Sequence, residues 1–443
     1  MQLVILYSIL CIIIFLVSVF LFKCKASFCY ILSVWTFSSI FSVIFYIESQ
    51  KYNNITLMPY IFFVLCLAIS CIPFNCFNDK TTVIEIKNKM IFEKVITFFC
   101  IISILPFIEN FIHILNTYNF DNSSQLADIY AEKMSGDLDK TKVINWYSPI
   151  GKICNSINLK FQYCSMFLLF LYISTRNINK YKLTALIIGC INPVLYTLSL
   201  SGRSAVVFTS LNAVLSFFLL RNYIQDREIL KKIKVFSLII FSSFILLFAI
   251  MTIARYSTNE GAQSVSILGW ISLYAGEGTL NFNEYMWHTK AYTEGDNCFA
   301  FFKDAIGLDT FVDLFKRRNY WGAKTGISPS IFYTFIGDIF SDFGFLTIPF
   351  ILTISFILIR RIYRKRIVSS NHLYWLYVWG MLCITGFTCY TYKVYSASLD
   401  LLCGLIILYL INSPLGINSR KNRIPLYPSL IPQHFDLTLF ISS

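Results

Sequence analysis

Apolar residues in this 443-residue chain gather into long runs, separated by short polar connectors and by two longer polar intervals. A helix crossing a bilayer needs about 20 predominantly apolar residues. Runs of about that length lie near 3–22, 28–47, 56–77, 94–116, 158–175, 182–200, 204–220, 235–253, 343–360, 372–390 and 396–412. The pattern predicts an all-α polytopic membrane protein with about 11 transmembrane helices. Residues 1–412 would form a single transmembrane domain, with a smaller outer loop over 117–157 and a large one over 254–342. A tail over 413–443 completes it.

Charge orients these helices. Lys23 and Lys25, Lys80 through Lys94, Arg176 to Lys182, Arg221 through Lys234, and the Arg360 to Arg366 cluster all fall on alternate connectors. Short cytoplasmic loops carry the excess of Lys and Arg, so that side is read as cytoplasmic. The N-terminus then faces outward and the C-terminus inward. The tail from Pro414 holds four prolines and no long apolar run, and is expected to be extended or loosely ordered.

Hydrophobic residues make up 56% of the chain and charged residues 14%, far below the roughly one quarter usual in soluble domains. The formal net charge of +13 would suit nucleic acid, but its placement follows topology instead. The run from Val4 to Phe22 lacks a basic n-region and a small-residue cleavage site, so it reads as a retained helix. Cys11, Cys66, Cys71, Cys100, Cys164, Cys190, Cys383 and Cys403 sit in apolar runs and behave as small hydrophobes. No Cys-x-x-Cys or Cys/His grouping has metal spacing, and neither a metal nor a cofactor is expected.

The interval from Arg255 to Asp342 is too long to be a simple connector. Its aromatic content, including Trp270, Tyr274, Phe282, Tyr285, Trp287 and Trp321, predicts a folded cap rather than a disordered loop. The stretch Tyr274 to His288 mixes carboxylates, amides and rings, which suits a sugar: polar groups bond hydroxyls while rings cover apolar faces. Glu277, Asn281, Asn283, Tyr285, Trp287 and His288 are its candidates. Packing within a loop helix is the plainer reading of any one of them.

Arg203 stands in Ser201-Gly202-Arg203-Ser204 on the outer side, against the charge trend, and Arg255 emerges one helix later on the same side. A guanidinium can hold a phosphate bidentately, so both suit a diphosphate at the membrane surface. The competing reading for Arg203 is a hinge paired with a carboxylate. Asp338 and Asp342 stand four apart, on one helical face, and could bind a cation, act as acid and base, or cap the ninth helix. Asp342 joins the substrate-binding candidates and Asp338 the catalytic ones.

The many spanning helices, the Ser-Gly-Arg-Ser turn at 201–204 and Arg255 opening a large outer loop resemble the bacterial oligosaccharide repeat-unit polymerases, the Wzy-type O-antigen or capsular polysaccharide polymerases. Gly276-Glu277-Gly278 with Leu280-Asn281-Phe282-Asn283, and Gly337-Asp338 through Asp342-Phe343-Gly344, also resemble segments of that group. The resemblance implies a GT-C-like membrane glycosyltransferase in the bacterial inner membrane, with a periplasmic N-terminus. Its substrate would be undecaprenyl-diphosphate-linked oligosaccharide, joined into a glycan without a metal. Membrane lipids, a chain-length regulator and a flippase are the other implied partners. Arg203 and Arg255 would stabilise the leaving diphosphate, and Glu277, Asp338 or His288 would accept the proton of the attacking hydroxyl. An O-antigen ligase or a lipid-linked oligosaccharide flippase is the competing expectation. A flippase should carry charged or broken helices near the bilayer midplane, whereas these apolar runs read as largely uninterrupted.

Overall fold

The computed structural model describes residues 1–117, 146–199, 204–226, 228–233, 235, 266–308, 314–328, 331–385, 389–390, 396–413 and 423–428. Arg203, Arg255, all but the first residue of the run near 235–253, and the middle of the 117–157 loop lie outside them.

Among the described residues seven helices are long and apolar enough to span a membrane: Gln2–Leu21, Ala26–Ser49, Leu57–Cys76, Lys89–Asn116, Lys180–Ser199, Ala205–Tyr223 and Phe335–Ile362. An eighth candidate is bent by 75° between Pro149–Lys160 and Gln162–Ile173. The chain is therefore mostly helical and of the multi-pass membrane class. Large apolar side chains such as Phe37, Ile101, Leu115 and Phe356 are more than 60% exposed around the bundle, an outer face that suits lipid rather than water.

In chain order we label the helices α1 (Gln2–Leu16), α2 (Ala26–Ser49), α3 (Leu57–Cys76), α4 (Lys89–Thr117), α5 (Pro149–Lys160), α6 (Gln162–Ile173), α7 (Lys180–Ser199) and α8 (Ser204–Leu220). They continue as α9 (Ile267–Asn281), α10 (Ala300–Ala305), α11 (Leu314–Thr325), α12 (Phe335–Phe343), α13 (Thr347–Ile362), α14 (Ser370–Thr385) and α15 (Ser396–Asn412). The strands are β1 (Val83–Ile86), β2 (Phe332–Tyr333), β3 (Ile367–Ser369), β4 (Cys389–Tyr390) and β5 (Ile424–Leu426).

Helices α6 and α14 are apolar on nearly every side, the signature of a helix with no solvent face. Both are buried along most of their length. Indole groups tie the second to its neighbours: Trp35 Nε1 donates to the Cys383 carbonyl at 3.1 Å, and Trp379 Nε1 to that of Ser70 at 3.0 Å. Cys11, Cys66, Cys71, Cys164, Cys190 and Cys383 fill this core.

The structure departs from the expected runs in four places. The fifth run begins earlier, as α5, whose polar face is held by a chain of buried amides. Asn110 Nδ2 donates to Asn192 Oδ1 at 2.8 Å, Asn192 Nδ2 to Asn155 Oδ1 at 3.1 Å, and Asn158 Nδ2 to Ser103 Oγ at 2.9 Å. In the run near 372–390 the helix is described to Thr385, and Cys389–Tyr390 pairs antiparallel with Phe332–Tyr333 as a strand, as suits a stretch rich in Thr, Phe and Tyr. The run near 343–360 lies in a span that starts earlier, at Phe335, where Thr334 Oγ1 accepts from Gly337 N at 2.9 Å, so Thr334 is the cap rather than either aspartate. Finally, the tail is docked at Ile424–Leu426, with Pro425 tolerated because β5 is the edge strand of the sheet β3-β1-β5.

The described part of the long interval, from 266 on, holds helices, and α9 packs along α2 instead of standing clear of the bundle. Ser38 and Ser42, one turn apart, face it. Ser38 Oγ donates to the Ala275 carbonyl at 2.6 Å, and Ser42 Oγ lies 2.8 Å from the Gly276 carbonyl and 2.6 Å from Thr279 Oγ1. Small residues let helix backbones approach this closely. A Cβ on Gly276 would intrude on the backbone of Phe41 and Ser42. Gly276→Val should therefore cost about 1–3 kcal/mol by overpacking, seen as a lower Tm of the purified chain; an unchanged Tm would refute this seating.

Candidate functional site

Helix α9 is placed at its start by Glu48 of α2. Ser266 N and Oγ donate to that carboxylate at 2.9 and 2.6 Å, while Ser266 Oγ accepts from Gly269 N at 3.0 Å as the N-cap. At its other end the helix widens into a π-turn, Phe282–Met286, a distortion frequent at functional sites. Glu277 sits on the turn between the Gly276 seam and this widening.

Glu277 is half-buried and accepts from Phe332 N at 3.3 Å. Burial pushes its carboxyl up to about 7, opposed by the Phe332 N–H, by Asn281 and by the charge of Lys51. Asn281 is fully buried; its amide donates to the Phe332 carbonyl at 2.8 Å and its Oδ1 accepts from Tyr52 OH at 3.0 Å. Tyr285 lies beside Tyr52 with ring centroids 6.3 Å apart and stays partly exposed. Lys51, Tyr52, Glu277, Asn281 and Tyr285 thus form one cluster, with a carboxyl able to exchange protons near neutrality beside a cation and an open aromatic face.

The neighbouring polar side chains bond to the chain itself. Asn283 is fully buried, accepting from Thr56 N at 2.9 Å and donating to the Thr56 carbonyl at 2.8 Å. Glu284 accepts from Asn54 N at 2.8 Å and Asn53 N at 3.4 Å. Together they clamp the connector between α2 and α3. Trp287 stacks on Phe340, with centroids 5.6 Å apart, and His288 is exposed.

Asp338 and Asp342 are brought together, on a second cluster that organises the turn at 293–298. Asp342 accepts from Thr293 Oγ1, from Asn297 N at 2.9 Å and from Cys298 N at 2.8 Å. Asp338 accepts from Asn297 Nδ2 at 3.1 Å. Next to it Asp296 is buried with Arg317, whose Nε donates at 2.9 Å, and with Trp321 Nε1 at 2.7 Å. Asp296, Asn297 and Arg317 escaped the sequence reading. The Glu294-Gly295-Asp296-Asn297 composition signals a turn, but nothing in it foretells an arginine partner 21 positions on.

At the break between α5 and α6, Lys160 Nζ lies 3.0 Å from Asp400 Oδ1 and Gln162 Nε2 donates to Asp400 Oδ2 at 3.3 Å. Each helix runs about 18 Å from this point to its other end at 1.5 Å per residue. The two meet at 75°, the geometry of a broken span or of a re-entrant loop. The largely uninterrupted apolar runs expected from the sequence are found in the seven spans, and this bent pair is the one exception among the described residues.

Helical content, spanning helices and exposed apolar girdle define a polytopic membrane protein. No family model matches the chain, and no curated protein or solved structure does either.

Glu277 yields a stability prediction. Its folded carboxyl titrates higher than the unfolded value near 4.5, so the folded state holds the proton more tightly. That contribution to stability is fully present below about 4.5, and is lost as pH rises toward and through about 7. Melting curves from pH 4.5 to 8 should show the loss in the wild type and a flatter profile in Glu277→Gln. Parallel profiles for the two proteins would rule the assignment out.

Proposed function

We propose that this chain is a membrane glycosyltransferase. It would polymerise undecaprenyl-diphosphate-linked oligosaccharide repeat units into O-antigen or capsular polysaccharide at the outer face of the bacterial inner membrane. The observation that carries the reading is the Glu277 cluster: a carboxyl raised toward neutrality, half-buried next to Lys51, Tyr52 and Tyr285 where α9 meets the α2–α3 connector. A general base acts best when it titrates near the working pH.

In this scheme a hydroxyl of the incoming unit attacks the anomeric carbon of the growing chain. The new glycosidic C–O bond forms as the bond to the diphosphate breaks, and the electron pair leaves with the diphosphate. The hydroxyl proton passes to the Glu277 carboxylate. Arg203 and Arg255 are assigned to the leaving diphosphate, whose added charge they would stabilise. Tyr285 supplies a face for a sugar ring. Asp338 and Asp342, bonded to Asn297 and its neighbours, are assigned to shaping the site rather than to proton transfer.

A transporter of lipid-linked oligosaccharide is the second reading, favoured by the broken helix at Phe161 with Lys160 and Asp400 at its bend. The two are separated by surface glycan run on a gel from a host lacking the gene. Lipid cores carrying a single repeat unit support the polymerase, and loss of all capped cores supports the transporter or a ligase. Restoring the gene as Glu277→Gln, Arg203→Ala or Arg255→Ala, each at wild-type expression, should shorten or abolish the polymer. Full-length chains from all three would end the proposed assignment.

A further inference from the structure

The three-stranded sheet gathers cations from three remote parts of the chain at the end of the bundle that bears the basic connectors. Val83 pairs with Ile367, and Val83 N donates to the Arg366 carbonyl at 2.8 Å, so Lys365 and Arg366 stand at the start of β1. Ile86 pairs with Ile424, which sets Lys87 beside Arg423 at its far end. Arg361, Lys365 and Lys87 all act electrostatically on His372. A four-residue strand spans about 13 Å, little more than the screening length of about 8–10 Å at physiological ionic strength. The cations therefore make one field.

That field is not cancelled locally. Segments 83–94, 360–375 and 423–428 hold nine Lys and Arg against two Glu, and each Glu already has a cation: Glu85 with Arg423 at 3.1 Å and Glu93 with Lys89 at 3.8 Å. Topological bias explains basic connectors one at a time, but not a sheet that converges them.

We infer that this patch binds the phosphate headgroup of an anionic phospholipid. Its depth supports a lipid: α13 ends at Ile362, β3 follows at Ile367, and α14 begins at Ser370 without a spacer. The sheet therefore sits at the mouth of the spanning helices, where headgroups lie. Tyr363, Trp375 and Tyr427 are 39–49% exposed around it, and such amphipathic rings favour that layer. The Arg361 guanidinium lies 5.8 Å from the Trp375 ring and that of Arg364 5.0 Å from the Tyr363 ring, so cations and rings form one surface. Basic clusters beside spanning helices recognise anionic headgroups in this way.

The test uses the purified, delipidated full chain mixed with phosphatidylglycerol or phosphatidylcholine, with retained lipid counted by native mass spectrometry. The wild type should retain phosphatidylglycerol in preference. Lys87→Gln/Lys365→Gln/Arg366→Gln should weaken that retention by about tenfold or more, with an unchanged melting profile in phosphatidylcholine. Lys87→Arg/Lys365→Arg/Arg366→Lys should keep it, which separates lost charge from lost fold. Equal retention by the Gln variant overturns the inference. So does soluble pyrophosphate that displaces the lipid stoichiometrically from the wild type, since the site would then read free phosphate.

Discussion

Helix α9 can occupy its place only because two backbones touch. Ser38 and Ser42 on one side, and Ala275, Gly276 and Thr279 on the other, remove the bulk that would hold the helices apart. In apolar surroundings, hydroxyl bonds to carbonyls add to close packing. The Glu277 cluster takes its position from this seam. Glu277 follows Gly276 by one residue, Asn281 reaches Tyr52 and Phe332 a turn later, and the π-turn then presents Asn283 and Glu284 to residues 53–56. A side chain at Gly276 would meet the backbone of Phe41 and Ser42, one residue before that carboxyl.

The rigidity extends outward through a continuous series of bonds. Phe332, which contacts both Glu277 and Asn281, pairs across β2 with β4 and stands two residues ahead of the Thr334 cap. That cap starts α12, whose aspartates hold the 293–298 turn. The same turn buries Asp296 against Arg317. The described residues of this interval are thus a wall built onto the bundle, and the Glu277 cluster lies where that wall meets α2 and the α2–α3 connector.

The spans were legible because hydropathy is a property of the chain in one dimension. Runs such as 28–47 and 56–77 needed no partner to declare themselves, and α2 and α3 stand there. The seating of α9 was hidden because it rests on serines, which hydropathy scores as weakly polar, and on a helix holding Gly276 and Glu277. Composition marked the Tyr274 to His288 stretch as rich in hydroxyl-binding groups. It could not tell an amide that faces a ligand from one that faces its own backbone, and Asn281 and Asn283 face their own. The bend at Phe161 was equally invisible. It depends on which asparagines meet: Asn155 and Asn158 of α5 with Asn192 of α7.

Those amides bear on which polar site performs chemistry. A sharply bent helix pair with an ion pair at the bend fits a moving gate, provided that its polar half is free to shift. Here that half is α5, and its asparagines bond in sequence to α4 and α7 through groups fully enclosed in protein. Moving it would expose several amides to an apolar medium at once, each costing about 1–3 kcal/mol. Lys160 and Asp400 neutralise one another, with Gln162 meeting the remaining oxygen. The break is then better explained as the means by which a polar helix is fitted across an apolar bundle. Glu277 differs in kind. Among the described residues its carboxyl meets the Phe332 N–H, the Asn281 side chain and the charge of Lys51, and keeps a half-open face, so it retains the capacity to take a proton from something the chain does not itself contain.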